Sequence, residues 1–314
     1  MDCTRGKPLG QGSFGEVFVA NPTDPKLPNM AVKSVPEDKK ESLTAEHQIL
    51  EKFRDVPGIV RCLGGGLSKE LNPENGLRRY DLLLEYASGG SLMDLIYGGG
   101  VGAAIPRRHV RVYTLMLLKA LSSIHSLGYV HCDIKPSNIL VFPREAGDGT
   151  KGETIPELKV ADFGLAMVSG SKNLRGSPRY MPPEVLADGT VTGAMDIWAL
   201  GCTVLEMLTG EMPWDRLDDD RDVLREIRKG CRPEIPGWLS GDAKDFLSKC
   251  FAKNYICRSD ANSLLRHPFV AQDSEKPTRM KTVIEEVQQK QRRPGGAAGF
   301  LPQFSRQCGP VLLF

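Results

Sequence analysis

An acid, a lysine and an amide stand close together in residues 131–138, whose sequence is HCDIKPSN. Pro136 prevents a helix from running through this segment, so we expect a rigid exposed loop. Asp133 offers a carboxylate that can receive a hydroxyl proton, and Lys135 offers a cation for a moving phosphoryl group. Asn138 adds an amide oxygen, which is a metal ligand. The segment therefore has the groups that phosphoryl transfer requires.

A second acid follows downstream in Asp162-Phe163-Gly164, directly after the apolar strand candidate 158–160. A carboxylate beside a glycine hinge is a natural Mg²⁺ ligand on a movable segment. The tripeptide alone occurs often by chance. The order H-x-D-x-K-x-x-N and then D-F-G does not.

Near the start of the chain, Gly10, Gly12 and Gly15 have the spacing G-x-G-x-x-G. Glycines let backbone N–H groups approach phosphates because no Cβ intervenes. A dinucleotide-binding oxidoreductase would need a helix straight after the third glycine, whereas the β-rich residues 16–20 and a proline-rich loop follow here. The pattern favours a flap within a hairpin, and a plain glycine hairpin remains the alternative reading of the motif by itself.

Lys33 lies on the next strand candidate, where its ammonium could pair with phosphates near the flap. A partly buried cation needs an acid to hold it, and Glu46 lies on the helix that follows. Either residue alone is typical of a solvated surface charge. The order of flap, strand lysine and helix glutamate favours the functional interpretation.

The elements that must position these residues fall into two parts. The first is β-rich and contains one helix, and the second, after the Ser88-Gly89-Gly90 breaker, is helical. We predict two strands within 7–20, further strands at 30–35, 59–67 and 80–86, a turn-rich connection at 68–78, and a helix at 41–53. In the second part we predict a long helix after Pro106 and helices at 196–208, 220–228, 242–250 and 261–266.

These boundaries predict three regions: a β-rich lobe at 1–86, a helical lobe at 87–271, and an extension at 272–314 that fades from a peripheral helix into a flexible tail. Residues 143–156 are rich in Gly, Glu and Lys, which is typical of a solvated hairpin insertion.

The composition limits the classes of function. Of the 314 residues, 40% are hydrophobic and 25% are charged, and the net charge is +2. A net charge this small produces no overall electrostatic field that would favour nucleic acid or a membrane as partner. The eight cysteines show no C-x-x-C pair and no metal-ligand spacing with the five histidines, so we expect free thiols in a reducing compartment. No apolar run is long enough to span a bilayer. We expect a cytoplasmic protein that could also enter the nucleus.

Over about residues 5–271 these motifs resemble the eukaryotic protein kinase family. The resemblance implies an α+β, bilobal kinase fold that uses ATP and Mg²⁺. It makes Gly10, Gly12 and Gly15 the phosphate flap and Lys33–Glu46 the activating ion pair. It makes Asp133 the catalytic base, with Lys135 beside it, and Asn138 and Asp162 the metal ligands.

The resemblance also implies an adenine site. Leu84 would be the gatekeeper and Glu85 to Ala87 the hinge, with Leu9, Val17, Ala31 and Leu140 around the ring. Glu184, in a motif similar to A-P-E, would pair with Arg258, and residues 196–201 resemble the buried helix that anchors the catalytic loop.

Lys135, two positions after Asp133, is the serine/threonine form of the loop. Within the family, the chain is most similar to plant MAP kinase kinase kinases of the MEKK-like, STE group. This resemblance implies a monomeric kinase domain whose protein substrate is a MAP kinase kinase. The alternative, a pseudokinase scaffold, is disfavoured because Lys33, Asp133, Asn138 and Asp162 are all present.

The chain departs from the family pattern at Cys132, where an arginine usually stands. That arginine normally receives a phosphate of the activation segment, which cysteine cannot do. We therefore expect weaker dependence on phosphorylation of Ser169, Ser171 or Ser177. We interpret Cys132 as a small buried hydrophobe rather than a redox sensor. Pro182 replaces the usual alanine of A-P-E, and Asp133 and Asp162 are further apart in sequence than is usual.

Overall fold

The computed structural model describes residues 3–12, 15–71, 76, 78–100, 104–144 and 154–271. The predicted extension at 272–314 and most of the predicted insertion at 143–156 lie outside the described residues. Within the described chain, no helix is both long and apolar enough to cross a membrane.

The first part of the chain forms an antiparallel sheet of five strands with one helix, α1, packed against it. Val and Phe residues of the central strands face the core, as β-branched and aromatic side chains favour. The strand order is β1-β2-β3-β5-β4. The elements are β1 (Cys3–Gly12), β2 (Gly15–Pro22), β3 (Met30–Pro36), α1 (Lys40–Lys52), β4 (Ser68–Leu71) and β5 (Arg78–Glu85).

The predicted strand at 59–67 is wrong, and a strand lies instead at Ser68–Leu71, where the sequence predicted the start of a turn-rich connection. Residues 72–75 and 77 of that predicted connection lie outside the described residues. Ile59 and Cys62 form isolated bridges, to Val160 and Leu84 respectively, whereas the edge strand is the polar β4. Ile59 is apolar because it is buried against a distant part of the chain, not because it belongs to the sheet. A charged edge strand such as β4 is a usual protection of a sheet edge, and it lacks the apolar alternation that sequence reasoning looks for.

The second part is helical, and all five helices predicted in it are found within a few residues of their expected bounds. The shorter helices α2, α4 and α9 were not predicted, because four to six residues show too little periodicity. α2 is fixed instead by a capping box between Ser91 and Asp94. The helices are α2 (Leu92–Tyr97), α3 (Arg107–Ser126), α4 (Pro183–Asp188), α5 (Gly193–Thr209), α6 (Asp220–Arg228), α7 (Gly241–Cys250), α8 (Ala261–Leu265) and α9 (Pro268–Ala271).

Two small antiparallel pairs hold the loops that carry the chemistry. β6 (Tyr129–Val130) pairs with β9 (Met167–Val168), and β7 (Ile139–Phe142) pairs with β8 (Glu157–Val160). Residues 131–138 run from β6 to β7, and residues 161–166 run from β8 to β9. The strand pairings therefore bring the two predicted active segments side by side.

One hydrophobic core runs through both parts of the molecule. It joins Leu43 and Leu50 of α1 to Leu117 of α3 and Ile197 of α5. Nearly every residue of α5 is buried, as expected for a helix that is apolar all round. Glu184 of α4 and Arg258 form a buried bidentate pair with N–O distances of 2.6 and 3.0 Å, as the resemblance implied.

A buried acid, Glu206, lies on α5 and accepts hydrogen bonds from two tyrosines. The hydroxyls of Tyr97 and Tyr180 each lie 2.7 Å from a carboxylate oxygen of Glu206. Burial raises the pKa of Glu206 to about 7, although these hydrogen bonds and the nearby Arg179 oppose the shift. The folded protein therefore holds a proton on Glu206 that the unfolded chain releases near pH 4.5.

Because Glu206 holds this proton in the folded state, we predict that the free energy of unfolding depends on pH and that Glu206→Gln removes this dependence. Between about pH 4.5 and 7 the folded state binds more protons at this position than the unfolded state, so the contribution to stability falls as pH rises. We expect the free energy of unfolding of the wild type, minus that of Glu206→Gln, to fall by about 2–3 kcal/mol from pH 5 to pH 8. Urea denaturation at several pH values measures this difference in the free energy of unfolding. A difference between wild type and Glu206→Gln that stays constant with pH would contradict the explanation from a buried acid.

Candidate active site

The loop at 131–138 is held by one buried carboxylate from α5. The two oxygens of Asp196 accept hydrogen bonds from the backbone N–H groups of His131 and Cys132, each at 2.9 Å. Asp196 is fully buried and also contacts the ring of His125 at 2.9 Å. These bonds hold Cys132 at a φ of +69°, a conformation that costs a non-glycine residue about 1–3 kcal/mol. The anchoring role that the sequence suggested for residues 196–201 is thus carried by Asp196.

Asp133 lies at the centre of a hydrogen-bond network within this loop. One carboxylate oxygen accepts from the hydroxyl of Ser177 at 2.7 Å, and the other accepts from the side-chain amide of Asn138 at 2.9 Å. The ammonium of Lys135 lies 2.9 Å from Asp133 and 2.7 Å from the Ser177 hydroxyl. Hydrogen bonds therefore orient both oxygens of the Asp133 carboxylate, and the Lys135 ammonium lies next to it.

Lys33 brings together three elements that are far apart in sequence. Its ammonium lies 2.6 Å from Glu46 on α1 and 2.7 Å from Asp162 after β8. Burial by itself disfavours the charged form, but the two carboxylates outweigh it and raise the pKa of Lys33 above its ordinary value. The Lys33 charge likewise overcomes burial at Asp162 and lowers the pKa of that carboxyl. Burial raises the pKa of Glu46, although the Lys33 charge opposes the shift. Lys33 is therefore a buried charge that both carboxyl groups share.

Asp162 adopts a strained backbone, and the residue after it packs back onto α1. Its φ is +63°, which is uncommon for a non-glycine residue and clusters at functional sites. The ring of Phe163 lies 4.8 Å from the His131 ring and 5.3 Å from the Phe53 ring, measured between centroids. These contacts tie the 161–166 segment to both the catalytic loop and the end of α1.

The glycine turn joins β1 to β2, in a hairpin as predicted. Gly15 is required there, because a Cβ would lie 2.3 Å from the carbonyl oxygen of Ser34 and its φ is +145°. At Gly10, by contrast, a Cβ would meet no atom within 4 Å. The structure thus assigns Gly15 a packing role on β3 and leaves open space over Gly10, which suits close approach of a ligand. Gly12 pairs with Gly15 at the end of the hairpin.

The residues predicted around the adenine ring lie on β1, β2, β3 and β7 and directly after β5. Ala31 is buried next to Leu84 in the β3–β5 pair, Val17 lies across from Lys33, and Leu140 bridges to Ser91. Leu9 is 42% exposed on β1, and Ala87 follows β5. Their contacts with a nucleotide stay predictions.

Glu85, predicted as a hinge residue, has a second contact that the sequence did not reveal. Its buried carboxylate lies 2.8 Å from the Lys159 ammonium of β8 and accepts from the backbone of Arg61. The Glu85 side chain is therefore committed to Lys159 and Arg61, so a contact with adenine falls to the backbone. No local pattern could have predicted this pair, since the residues are 74 positions apart.

Comparison with known proteins fits this geometry. A family profile described as "Protein kinase domain" matches residues 3–270. The chain belongs to the protein kinase family. It is 40% identical over 301 residues to "Mitogen-activated protein kinase kinase kinase 20" of Arabidopsis thaliana, covering 91% of this chain and 83% of that protein. It is 38% identical over 278 residues to "Mitogen-activated protein kinase kinase kinase 18" of the same plant, covering 86% and 78%.

These likenesses identify a serine/threonine protein kinase of the MAP kinase kinase kinase type. Members of the family use ATP and a divalent metal. The residues of this kinase fit those groups: Lys33 is a buried cation, a Cβ at Gly10 would meet no atom within 4 Å, and the carboxylate of Asp162 and the amide of Asn138 are oxygen donors of the kind Mg²⁺ prefers.

The Cys132 side chain is buried in this kinase. It is 3% exposed and packs with Val130, Val185 and Met195, while its sulfur lies 3.5 Å from the Val130 carbonyl oxygen. Burial raises the pKa of the Cys132 thiol, which keeps it in the unreactive form. The position fits a small hydrophobe, as the sequence analysis interpreted it.

We expect Lys33→Met to lower the phosphorylation rate by about 10²–10⁴-fold, because it removes the charge that both carboxylates share. A loss of thermal stability should accompany it, since Glu46 and Asp162 are left unpaired. Lys172→Met, at a side chain that is 71% exposed, is the matched control and should change neither quantity. Radiolabel transfer and thermal unfolding measure the two effects, and equal rates for both variants would contradict the assignment.

The serines of the 167–177 segment should respond differently to alanine. The Ser171 hydroxyl donates to the Val168 carbonyl, whereas the Ser177 hydroxyl is the one that donates to Asp133, so Ser169→Ala and Ser171→Ala should retain activity within about twofold. Ser177→Ala removes a hydrogen bond to Asp133 and should lower activity more than about tenfold, whereas Ser177→Thr keeps a hydroxyl and should retain most of it.

Phosphatase treatment distinguishes a requirement for the Ser177 hydroxyl from a requirement for a phosphate group on the segment. We expect treated wild-type kinase to stay far more active than Ser177→Ala, because the hydroxyl itself orients Asp133. Loss of activity on phosphatase treatment, together with a similar loss in each of the three alanine variants, would mean that a phosphate is required after all.

Proposed function

We propose that this kinase transfers the γ-phosphoryl group of ATP to serine or threonine residues of a MAP kinase kinase, with Mg²⁺ as its metal. The observation that carries the proposal is the bonding of Lys33 to both Glu46 and Asp162, because it places the cation and a metal-type ligand in one assembled site. The names of the relatives, which are MAP kinase kinase kinases, support the choice of substrate class.

In the reaction, the substrate hydroxyl would approach the Asp133 carboxylate, which accepts its proton. Lys135, 2.9 Å from that carboxylate, would lie beside the phosphoryl group in transfer and offset its charge. Lys33 would bind the non-transferred phosphates. A magnesium ion held by Asn138 and Asp162 would supply further neutralisation of the triphosphate.

The neighbourhood of Asp133 supports a serine or threonine acceptor. Lys135 bridges Asp133 and the Ser177 hydroxyl, so the ammonium is fixed close to the carboxylate. A short hydroxyl side chain brings its oxygen near both groups. We further propose that the kinase acts as a monomer, as the family resemblance implied, and that it acts in the cytoplasm with the nucleus as a second compartment, as we expected from its composition.

The deciding experiment measures phosphate transfer to a panel of catalytically inactive MAP kinase kinases, with inactive MAP kinases as the comparison panel. We expect transfer to a MAP kinase kinase, and loss of it when the acceptor serines and threonines of that substrate are replaced by alanine. Asp133→Asn should lower kcat by about 10³-fold or more with nearly unchanged ATP affinity, because the base is lost and the nucleotide contacts are not.

Two results would contradict the proposal. Mg-ATP binding without transfer to any protein would favour a pseudokinase scaffold. Transfer to MAP kinases in preference to MAP kinase kinases would keep the enzyme class and overturn the substrate.

A further inference from the structure

Three side chains with different metal-binding atoms meet between α1 and the segment that precedes β4. The Nε2 atom of His47, a carboxylate oxygen of Glu51 and the sulfur of Cys62 all lie within 4.8 Å of one another. Among the described residues, this is the single group of three such side chains at that spacing. We propose that His47, Glu51 and Cys62 form a zinc-binding site.

Two of the three donor atoms are buried and lack hydrogen bonds. Nε2 of His47 and Oε1 of Glu51 are hidden from solvent, and neither has a hydrogen-bond partner in the described part of the chain. They face each other at 3.8 Å, which is too long for a hydrogen bond. Buried polar atoms without partners are uncommon in folded proteins and often mark a missing ion or water. Here both residues offer a donor atom within 4.8 Å of the Cys62 sulfur.

The separation of these atoms suits zinc after a small movement. Zinc holds sulfur at about 2.3 Å and imidazole nitrogen or carboxylate oxygen at about 2.0–2.2 Å, so ligand atoms of a tetrahedral site lie about 3.3–3.7 Å apart. The 3.8 Å between the His47 nitrogen and the Glu51 oxygen is close to that spacing. A side-chain movement of roughly 1 Å would bring the Cys62 sulfur, which lies within 4.8 Å, to the same spacing. Three protein ligands leave a fourth position for water.

The donor set also matches the charge and softness of zinc. A thiolate, an imidazole and a carboxylate together favour zinc over magnesium or calcium, which prefer oxygen ligands alone. A Cys62 thiolate and the Glu51 carboxylate would together balance the two positive charges of the ion. The spacing of His47 and Glu51, four positions apart on α1, puts both on one face of the helix.

Binding would require changes at two neighbouring contacts. The Cys62 thiol now lies 3.4 Å from the Leu83 carbonyl oxygen, and its proton would leave on zinc binding. The second Glu51 oxygen accepts from Arg54 at 2.6 Å, which fixes the carboxylate but places a cation nearby. The Arg54 side chain is 55% exposed and can turn to solvent.

Such a site would connect α1 to the sheet. Cys62 is bridged to Leu84 of β5, and the neighbouring Leu63 N–H bonds Leu83 of the same strand. Glu46, the partner of Lys33, is adjacent to His47 on α1. Zinc would thus restrain the helix that carries Glu46, independently of which protein the kinase phosphorylates.

The test uses the full chain, freed of metal by chelation and then titrated with Co²⁺ as a spectroscopic substitute for zinc. We expect one equivalent to produce a thiolate-to-cobalt charge-transfer band that added Zn²⁺ abolishes. Because the ATP site has oxygen donors, an excess of Mg²⁺ should leave the band unchanged. Competition with a chromophoric chelator then gives the Zn²⁺ affinity.

Cys62→Ser should abolish the band, and His47→Gln and Glu51→Gln should each weaken Zn²⁺ binding by more than about tenfold. Cys257→Ser, at an exposed thiol remote in sequence, is the matched control and should keep both the band and the affinity. Zinc should also raise the unfolding temperature of wild type and the control, but not of Cys62→Ser.

The proposal is overturned if the Cys62→Ser variant keeps the charge-transfer band, or if folded wild type gives none at micromolar metal. A helical acid–imidazole pair with no ion would produce that second result, and far-ultraviolet circular dichroism would show that the chain was folded when it was obtained. Neither readout depends on kinase activity, so failure here leaves the proposed function untouched.

Discussion

The buried ammonium of Lys33 is the interaction on which the arrangement of the site depends. A cation that is 8% exposed can remain charged only if acids reach it, and those acids come from α1 and from the segment after β8. One electrostatic requirement therefore fixes the distance between the sheet, the helix and the 161–166 segment. Any motion that takes Glu46 away removes one of the two carboxylates that balance the Lys33 charge, which links the position of α1 to the chemistry.

Backbone strain is concentrated in the same region and is held by specific partners. Cys132 and Asp162 are two of the three non-glycine residues with positive φ among those described. Asp196 offsets the strain at Cys132 through two hydrogen bonds to the backbone, and the packing of Phe163 holds the segment after Asp162. Buried groups on α5 and at the end of α1 therefore hold both strained positions.

α1 has two functional faces. The side that carries Glu46 meets Lys33, while His47 and Glu51 lie near Cys62 on the segment leading to β4. A similar connection occurs at Glu85, whose carboxylate joins the end of β5 to Lys159 of β8. Both cases show how side chains distant in sequence restrain the two parts of the molecule relative to each other.

Residue types and their spacing along the chain are enough to predict the type of reaction and most of the helices and strands. The motifs around Gly10, Lys33, Asp133 and Asp162 predicted a kinase, because each reaction step needs a definite residue type at a definite spacing in a loop or strand. Long helices such as α3 and α5 were predictable from periodicity, since burial of one face or of the whole helix leaves a pattern in the composition.

Contacts between residues that are distant in sequence depend instead on how the helices and strands pack, and they are seen only in the folded structure. The edge strand β4, the bond between Glu85 and Lys159, and the grouping of Cys62 with His47 depend on contacts between segments with no local signal. The spacing of cysteines and histidines along the chain indicates no metal ligands, because such spacing reveals only ligands that are neighbours in sequence. The physical reason is general: local patterns record which face of an element is buried, whereas the partner on the other side is set by how the elements pack.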